Sequence, residues 1–119
     1  MKKEVVTFRK SMGAGTSGTI TERLKDDGFI EEVRIRFYPG VERQLQVSPF
    51  ILHKENRRED LFTFPEGTEK YITGDNDYLI FPVSLEFAYD DEIQVSYVNT
   101  DINYPYTLVV DIVVSYQGV

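Results

Sequence analysis

The sequence contains no cysteine and no tryptophan, and it has a single histidine, His53. Without cysteine the chain has no disulfide framework, no thiolate ligand for zinc and no cysteine nucleophile. One histidine cannot form a histidine-rich metal cluster and leaves little room for a Ser-His-Asp triad. Acidic residues outnumber basic ones, 20 against 13, so the net charge is −7. Because proteins that bind phosphate backbones need a basic surface, we expect no nucleic-acid partner.

Long apolar runs and helix-forming residues are also scarce. No stretch approaches the roughly 20 apolar residues of a membrane helix, and Glu4 interrupts a signal peptide that could start at Met1. We therefore expect no membrane partner and a protein that folds in a cytoplasm. Ala, Leu and Met total 11 residues, whereas Val, Ile, Thr, Tyr and Phe account for 47 of the 119. Because β-branched and aromatic residues favour strands, the composition predicts an all-β protein.

Apolar and polar residues alternate along segments that turn residues separate, as in an antiparallel β-sheet. In residues 29–38, Phe29, Val33 and Ile35 share one parity, and Glu31 is the one exception to it. The pattern predicts an antiparallel β-sandwich of about eight strands with a jelly-roll-like topology. The predicted strands are 4–9, 19–25, 29–38, 41–54, 69–73, 78–89, 93–97 and 104–117.

Two segments between the predicted strands have a different character. Residues 56–60 are all polar, which predicts an exposed loop, and residues 61–68 contain Pro65 and Gly67 and are predicted to be irregular. Pro49 lies inside the fourth predicted strand, which must therefore be an edge, a bulge or a bend at that point.

The first 17 residues are expected to form an N-terminal arm, and residues 18–119 a single β-sandwich domain. Three glycines within Gly13–Gly18 predict a flexible hinge after the short strand-like segment. Val5, Val6 and Phe8 are too apolar to remain in solvent. They either join their own domain as its first strand or add to the sheet edge of a neighbouring subunit or a capsid surface.

Two acidic clusters are weak calcium candidates, because calcium prefers several oxygen ligands and β-sandwich loops often supply them. The alternative is a surface turn, in which Asp and Asn side chains bond to nearby backbone amides. Neither cluster has the spacing of an EF-hand, so we expect no cofactor or metal. The candidate ligands are Asp75, Asp77, Asp90 and Asp91.

Several carboxylates, the single histidine and a group of tyrosines are the remaining candidates for catalysis or sugar binding. Glu86, Asp91 and Asp111 could supply paired carboxylates for glycoside hydrolysis, but a domain of this size has little surface for a cleft. His53 follows an apolar run and is expected to be an exposed or loop-proximal residue rather than a catalytic base. Four tyrosines near the C-terminus could stack on sugars or pack in a core or interface. They are Tyr97, Tyr104, Tyr106 and Tyr116.

Three segments carry a family resemblance. They are Asp26–Gly40, with Gly-Phe-Ile-Glu followed by Ile-Arg-Phe-Tyr-Pro-Gly, then Gly74–Val83, and Asn103–Val110 with Tyr-Pro-Tyr-Thr. In this order they resemble segments of small proteins encoded among the structural genes of tailed bacteriophages. The resemblance covers about residues 18–119 and implies a virion-associated β-sandwich assembled in the host cytoplasm: a capsid decoration protein, a head-fibre base or a head–tail accessory subunit. It assigns no site residues.

The expected function is therefore that of a non-enzymatic virion protein that binds the capsid or neck surface and self-associates. The resemblance implies a trimer. Val109 and Val113 make the last predicted strand apolar on both faces, which is typical of a strand whose second face meets a neighbour. The predicted interface residues are Val5, Val6, Phe8, Val109 and Val113. The alternative function is a lectin-like module that binds host-surface glycans.

Overall fold

The computed structural model describes residues 2–62 and 71–117, and this part of the chain is almost entirely β-structure. The eight strands are β1 (Lys2–Met12), β2 (Ser17–Arg23), β3 (Gly28–Phe37), β4 (Leu45–His53), β5 (Arg57–Asp60), β6 (Asp77–Phe87), β7 (Glu92–Asn99) and β8 (Tyr106–Tyr116). A short 3₁₀ turn, Lys54–Asn56, joins β4 to β5. Among the described residues no helix is long and apolar enough to cross a membrane.

The strands form two four-stranded sheets that pack face to face. Sheet A has the order β1-β8-β3-β6, and sheet B has the order β2-β7-β4-β5. All the pairings within the two sheets are antiparallel. Each of the first four strands pairs with a later strand, β1 with β8, β2 with β7, β3 with β6 and β4 with β5. This is the strand order of a jelly roll, and the predicted all-β sandwich is confirmed.

The core lies between the sheets and is filled by one parity of each strand. In β8 the inward residues Leu108, Val110, Ile112 and Val114 are completely buried. Their neighbours on β3, Ile30, Val33 and Ile35, are equally buried and lie directly beside them. β-Branched side chains fit such a pleated, buried surface, which is why the composition predicts the fold.

The break in the alternation of β3 has a structural cause. The register of β3 against both β6 and β8 shifts between Ile30 and Glu32. Against β8, β3 has one residue more, so Glu31 is the extra residue of a β-bulge, whereas against β6 the extra residue lies on β6. The inward parity therefore changes at Glu31, from Gly28 and Ile30 before it to Val33 and Ile35 after it. Phe29, which the sequence pattern groups with Val33, thus lies on the opposite face from the core. The exception in the sequence pattern marks the bulge.

Residues 57–60 are not the exposed loop that their polarity predicts, because they form strand β5. β5 pairs with β4 from Phe50 to His53 at the edge of sheet B. An edge strand of four residues keeps its polar side chains partly in water, so it shows no apolar alternation. The polarity of these residues therefore reflects their place at an edge.

Two further predictions concern the region after β4. Of the predicted strand 69–73, residues 69 and 70 lie outside the described part, and Ile72 forms only an isolated bridge to Val47. The irregular segment 61–68 also lies mostly outside it. Pro49 faces the β5 side of β4 between that bridge and the first β5 pair, Phe50 with Asp60. Its missing N–H therefore interrupts no ladder pairing.

The N-terminal segment is an ordered strand within the single chain. β1 pairs with β8 of the same chain over its whole length, and Phe8 and Met12 are buried in the core. The turn after it contains Gly15, whose φ of 66° is the left-handed conformation that glycine adopts without strain. The division into an arm, residues 1–17, and a domain, residues 18–119, remains a prediction.

Neighbouring residues of β3 should differ sharply in their effect on stability. Ile35 is fully buried, with Leu79 and Val110 beside it on the flanking strands. Ile35→Ala should cost about 2–5 kcal/mol, because it leaves a cavity in the core. Arg34 lies on the outer face and pairs with Glu32, so Arg34→Ala should leave the melting temperature nearly unchanged. Thermal and denaturant unfolding measure both, and equal losses would show that the faces of β3 are wrongly assigned.

Candidate interaction surface

The outer face of sheet A consists of the side chains of β1, β8, β3 and β6 that point away from sheet B. It combines charged residues with large apolar side chains that no residue within 2–62 and 71–117 covers. Val5 and Ile80 are each 53% exposed, and Tyr78 is 51% exposed. From β1 to β6, the three central rows across this face are Val5-Val113-Glu32-Pro82, Thr7-Asp111-Arg34-Ile80 and Arg9-Val109-Arg36-Tyr78.

The predicted interface residues divide between the two faces of sheet A. Val5, Val109 and Val113 lie on the outer face, and Val5 is directly opposite Val113. Phe8 points inward and is only 3% exposed. Val6 also points inward and packs against the core. Only the three outer valines are therefore available to another molecule while β1 stays in place.

The charges of the outer face are partly neutralised. Arg34 donates to Glu32, with 2.6 Å between Nη2 and Oε2, and Thr7 donates to Asp111 over 2.7 Å. The Glu32 carboxylate raises the pKa of the Arg34 guanidinium, mainly through this hydrogen bond. Arg9 and Arg36 make no ion pair with any residue in the described ranges. The guanidinium of Arg36 instead lies over the ring of Tyr38, 5.2 Å from its centroid.

The outer face of sheet B is chemically different. Many of its side chains carry hydroxyl or amide groups, and neighbours across β2 and β7 bond to each other, as Thr19 and Ser96 do over 3.2 Å. The hydroxyl and amide residues of this face are Ser17, Thr19, Thr21, Gln46, Ser48, Gln94 and Ser96. The same face also carries the ion pairs Arg23–Glu92 and Arg58–Asp60. Its apolar side chains are Phe50, which is buried, Leu52, and Val98, which is 40% exposed.

The calcium candidates do not come together. Asp75 and Asp77 precede or begin β6, and Asp90 and Asp91 follow its end, so the two pairs are about 30 Å apart. Asp75 accepts the N–H of Gly40, and Asp77 accepts the N–H of Asp75. In residues 2–62 and 71–117 no three His, Asp or Glu side chains are placed to hold a metal ion. The geometry around Asp75 and Asp77 is that of a turn stabilised by side chains.

A buried cluster around His53 is the feature that sequence reasoning missed. The His53 side chain is only 9% exposed, so of the two expected settings it is loop-proximal, at the end of β4 before the 3₁₀ turn, and not exposed. Its Nδ1 lies 2.7 Å from Asp91 Oδ2, and its Nε2 lies 2.8 Å from Glu59 Oε1. His53 shares the inward parity of Leu45 and Ile51, and this was the available signal. Because carboxylates occupy both ring nitrogens, neither is free to act as a base on a substrate.

The other candidate carboxylates are also separated. Asp91 is 2% exposed inside the His53 cluster, where it also accepts the backbone N–H of Ala88. Glu86 and Asp111 lie on different strands of the outer face of sheet A, and Asp111 is bonded to Thr7. The three carboxylates proposed for glycoside hydrolysis therefore do not face one cleft.

The four C-terminal tyrosines do not form one platform. Tyr97 and Tyr116 are buried in the core at 6% and 4% exposure. Tyr104 is 64% exposed, and Tyr106 is half-buried. The hydroxyl of Tyr106 donates to Asp101 over 2.6 Å, and this bond raises the pKa of Tyr106 to about 12. Only Tyr104 and Tyr106 are thus available to a ligand, both at the Asp77 end of the sandwich.

Comparisons with known proteins identify no family. No protein-family model matches the sequence, and no curated protein matches it significantly. Solved structures of similar shape include the VP2 subviral particle of infectious bursal disease virus, with a TM-score of 0.49 and 10% identity, and the Gt strain of that virus, with 0.49 and 11%. Each alignment covers 98% of this chain and 33% of the other, so the chain spans about a third of their length. The neighbours are thus viral particle proteins, and a likeness of this degree carries no argument about function.

The His53 cluster should stabilise its end of the sandwich. Asp91→Ala removes a buried acceptor and leaves His53 and the Ala88 N–H without their partner, so it should cost about 3 kcal/mol of unfolding free energy. Asp60→Ala is the matched control, because Asp60 lies in a regular strand and makes a partly exposed ion pair with Arg58. Denaturant unfolding should show a much smaller loss for the control. Equal losses would mean that the buried cluster contributes nothing special.

Proposed function

We propose that this chain is a non-enzymatic structural protein of a tailed-phage virion, which binds the capsid or neck surface and self-associates as a trimer. The role would be that of a decoration or head accessory protein, located in the virion. The observation that carries the proposal is the outer face of sheet A, where exposed valine, isoleucine and tyrosine side chains lie among charged groups.

The contrast between the two outer faces supports self-association through sheet A. A soluble monomer seldom exposes large apolar residues side by side, and such a patch is typical of a protein–protein contact. Val5 meets this description together with its neighbour Val113. Ile80 and Tyr78 form a second apolar strip on β6, and the charged side chains of β3 lie between the two strips. Sheet B, with its hydroxyl and amide side chains, would then face solvent.

The non-enzymatic part of the proposal rests on the geometry of the ionisable groups. The single imidazole is held between two carboxylates, and the candidate acidic residues are dispersed or bonded to backbone amides. The sequence resemblance to tailed-phage structural proteins supports the virion role. The jelly-roll fold itself is neutral, since it occurs in capsid and in lectin domains alike.

A single charge on the outer face of sheet A should prevent self-association. Val5→Glu places a carboxylate in the middle of the proposed contact, and it should reduce the mass measured by light scattering from trimer to monomer. Thr21→Glu is the matched control, because Thr21 is exposed on the outer face of β2, which is an edge strand of sheet B. The control should remain a trimer. A monomeric wild-type protein at tens of micromolar, or a trimer in both variants, would contradict the proposal.

Binding to a virion component is a separate question. The test is a pull-down with purified capsids of the virus whose genome carries the gene, in which the wild-type protein and Thr21→Glu should bind. Absence of binding to any capsid or neck component would remove the decoration role and leave self-association untouched. The neighbouring genes provide a quick check, since a capsid or portal gene beside this one supports the role.

The arm, residues 1–17, is proposed to exchange between subunits in the assembly. β1 lies at an edge, β8 is the strand that it pairs with, and a short glycine-containing turn connects it to β2. Such a strand keeps all its contacts when it moves to the same site on an identical neighbour. The single chain places β1 on its own sheet, so the two arrangements differ only in which molecule supplies the strand.

An engineered disulfide distinguishes these arrangements, because the protein has no cysteine of its own. Val5 and Val113 are directly opposite in neighbouring strands, a spacing that a disulfide spans. In the double variant Val5→Cys/Val113→Cys, exchange should give covalently linked chains on a non-reducing denaturing gel. A gel that shows only cross-linked monomers would overturn the exchange. Either single variant serves as the control for random oxidation.

A further inference from the structure

A shallow groove of about 500 Å³ lies at the Asp77 end of sheet A, beyond the Val5–Val113 pair. Three elements form it: the end of β1, the turn after β3, and the start of β8 with the loop before it. Its lining residues are Arg9, Ser11, Tyr38, Pro105, Tyr106 and Thr107. The groove therefore combines one cation, four hydroxyl-bearing side chains and the flat ring surfaces of Tyr38, Pro105 and Tyr106.

The ring surfaces are held in place by contacts outside the groove. Tyr38 is 37% exposed, and the guanidinium of Arg36 stacks against its ring at 5.2 Å. The Tyr106 hydroxyl is fixed by Asp101 over 2.6 Å, so this side chain offers its ring rather than its hydroxyl. Flat, fixed rings of this kind suit the C–H face of a pyranose as well as apolar contacts.

The hydroxyl groups on the floor come from two paired strands. Ser11 and Thr107 are directly opposite each other in the β1–β8 ladder. Neither side chain makes a hydrogen bond to another residue in the described part of the chain. Both are thus free to donate to or accept from the hydroxyls of a ligand.

The groove is also positively charged at one side, in a chain whose net charge is −7. Arg9 and Arg36 lie on either side of Val109, so their Cα atoms are about 10 Å apart. Neither has a carboxylate partner among the residues that the structure describes. Two acidic groups near the groove already have partners. Asp101 is bonded to the Tyr106 hydroxyl and to two backbone N–H groups, and Asp111, in the adjacent row of the outer face, accepts from Thr7. An arginine without a partner is a site for a carboxylate of a ligand.

We propose that this groove binds a carboxylated sugar residue, such as a hexuronic or sialic acid at the surface of a glycan. The carboxylate would lie against Arg9, with Arg36 adding to the positive field. The pyranose would rest on Tyr38, and its hydroxyls would bond to Ser11 and Thr107. This binding goes beyond the structural role proposed above. It uses the polar groups of Arg9, Ser11 and Thr107, which have no partner among the described residues.

The test is a set of NMR titrations of the full-length protein with three probes. They are methyl glucuronide, methyl glucoside, which has the ring without the carboxylate, and acetate, which has the carboxylate without the ring. The glucuronide should shift the amide signals of Ser11, Tyr38 and Thr107 and bind at least about tenfold more tightly than either of the other probes. N-Acetylneuraminic acid methyl glycoside, tested in the same way, shows whether a sialic acid is preferred.

Three variants assign the roles within the groove. Arg9→Gln should weaken glucuronide binding about tenfold and leave the weak binding of the glucoside unchanged. Tyr38→Ala should weaken the binding of both the glucuronide and the glucoside. Arg57→Gln is the control for loss of one positive charge, because Arg57 lines a different cavity at the opposite end of the sandwich, and it should bind as the wild type does.

Some results would overturn this proposal. Equal binding of all three probes, no binding of either the glucuronide or the N-acetylneuraminic acid glycoside, or undiminished binding by Arg9→Gln would each show that the groove does not recognise a carboxylated sugar. The Val5→Glu variant separates this question from self-association, since its groove is intact. It should bind the glucuronide as the wild type does, whatever its oligomeric state.

Discussion

The antiparallel pairing of β8 with both β1 and β3 is the interaction on which the rest of the structure depends. Its four inward residues, Leu108, Val110, Ile112 and Val114, are completely buried and form the centre of sheet A. The pairing of β1 with β8 is the outermost of four antiparallel pairs, and the others are β2–β7, β3–β6 and β4–β5. Because β8 also pairs with β3, and β7 also pairs with β4, the four pairs form two four-stranded sheets that face each other.

The strand β7 has a corresponding role for the loops at the two ends of the sandwich. A buried polar residue stands at each end of it, Asp91 just before the strand and Asn99 as its last residue. Asp91 accepts the Ala88 N–H and contacts His53. Asn99 donates to the carbonyl oxygens of Gly13 and Tyr104 and accepts the N–H of Asp101. Because a buried polar group needs its partners, these two side chains fix which loops meet at each end.

This arrangement explains how the groove keeps its shape. Asn99 holds the loop after β7, and within that loop Asp101 bonds to Tyr106. The wall formed by Pro105 and Tyr106 is thus tied to the core through two hydrogen-bonded residues. A binding surface made of loops gains affinity when its loops are fixed in advance, because less freedom is lost on binding.

The sequence predicts the fold well where a strand has one buried and one exposed face. The parity of Val33 and Ile35 in β3 and of Val110 and Ile112 in β8 predicts their burial correctly, and even Glu31 marks a real bulge. It fails where a strand is short and polar, as in β5, because nothing local announces its pairing with β4. The His53 cluster was also not predicted, since Asp91 lies 38 positions away and only the folded chain brings the two together. Local sequence patterns thus predict which side chains of a strand are buried. The His53 cluster depends on residues that are distant in the sequence, so no local pattern predicts it.

The edge strands of the two sheets are poorly suited to pair with a strand of another molecule, so self-association by continuation of a sheet is disfavoured. β6 carries Pro82, which has no N–H to donate, and β5 has only four residues, of which none is apolar. β1 is as long an open edge as β6, with 11 residues, but charged side chains such as Lys3 and Arg9 lie along it. The outer face of sheet A has no such protection over Val5, Val113 and Ile80, and the outer face of sheet B offers hydroxyls and amides instead. The edge strands therefore disfavour edge-to-edge pairing, whereas the outer face of sheet A, with the groove at its Asp77 end, has no comparable protection.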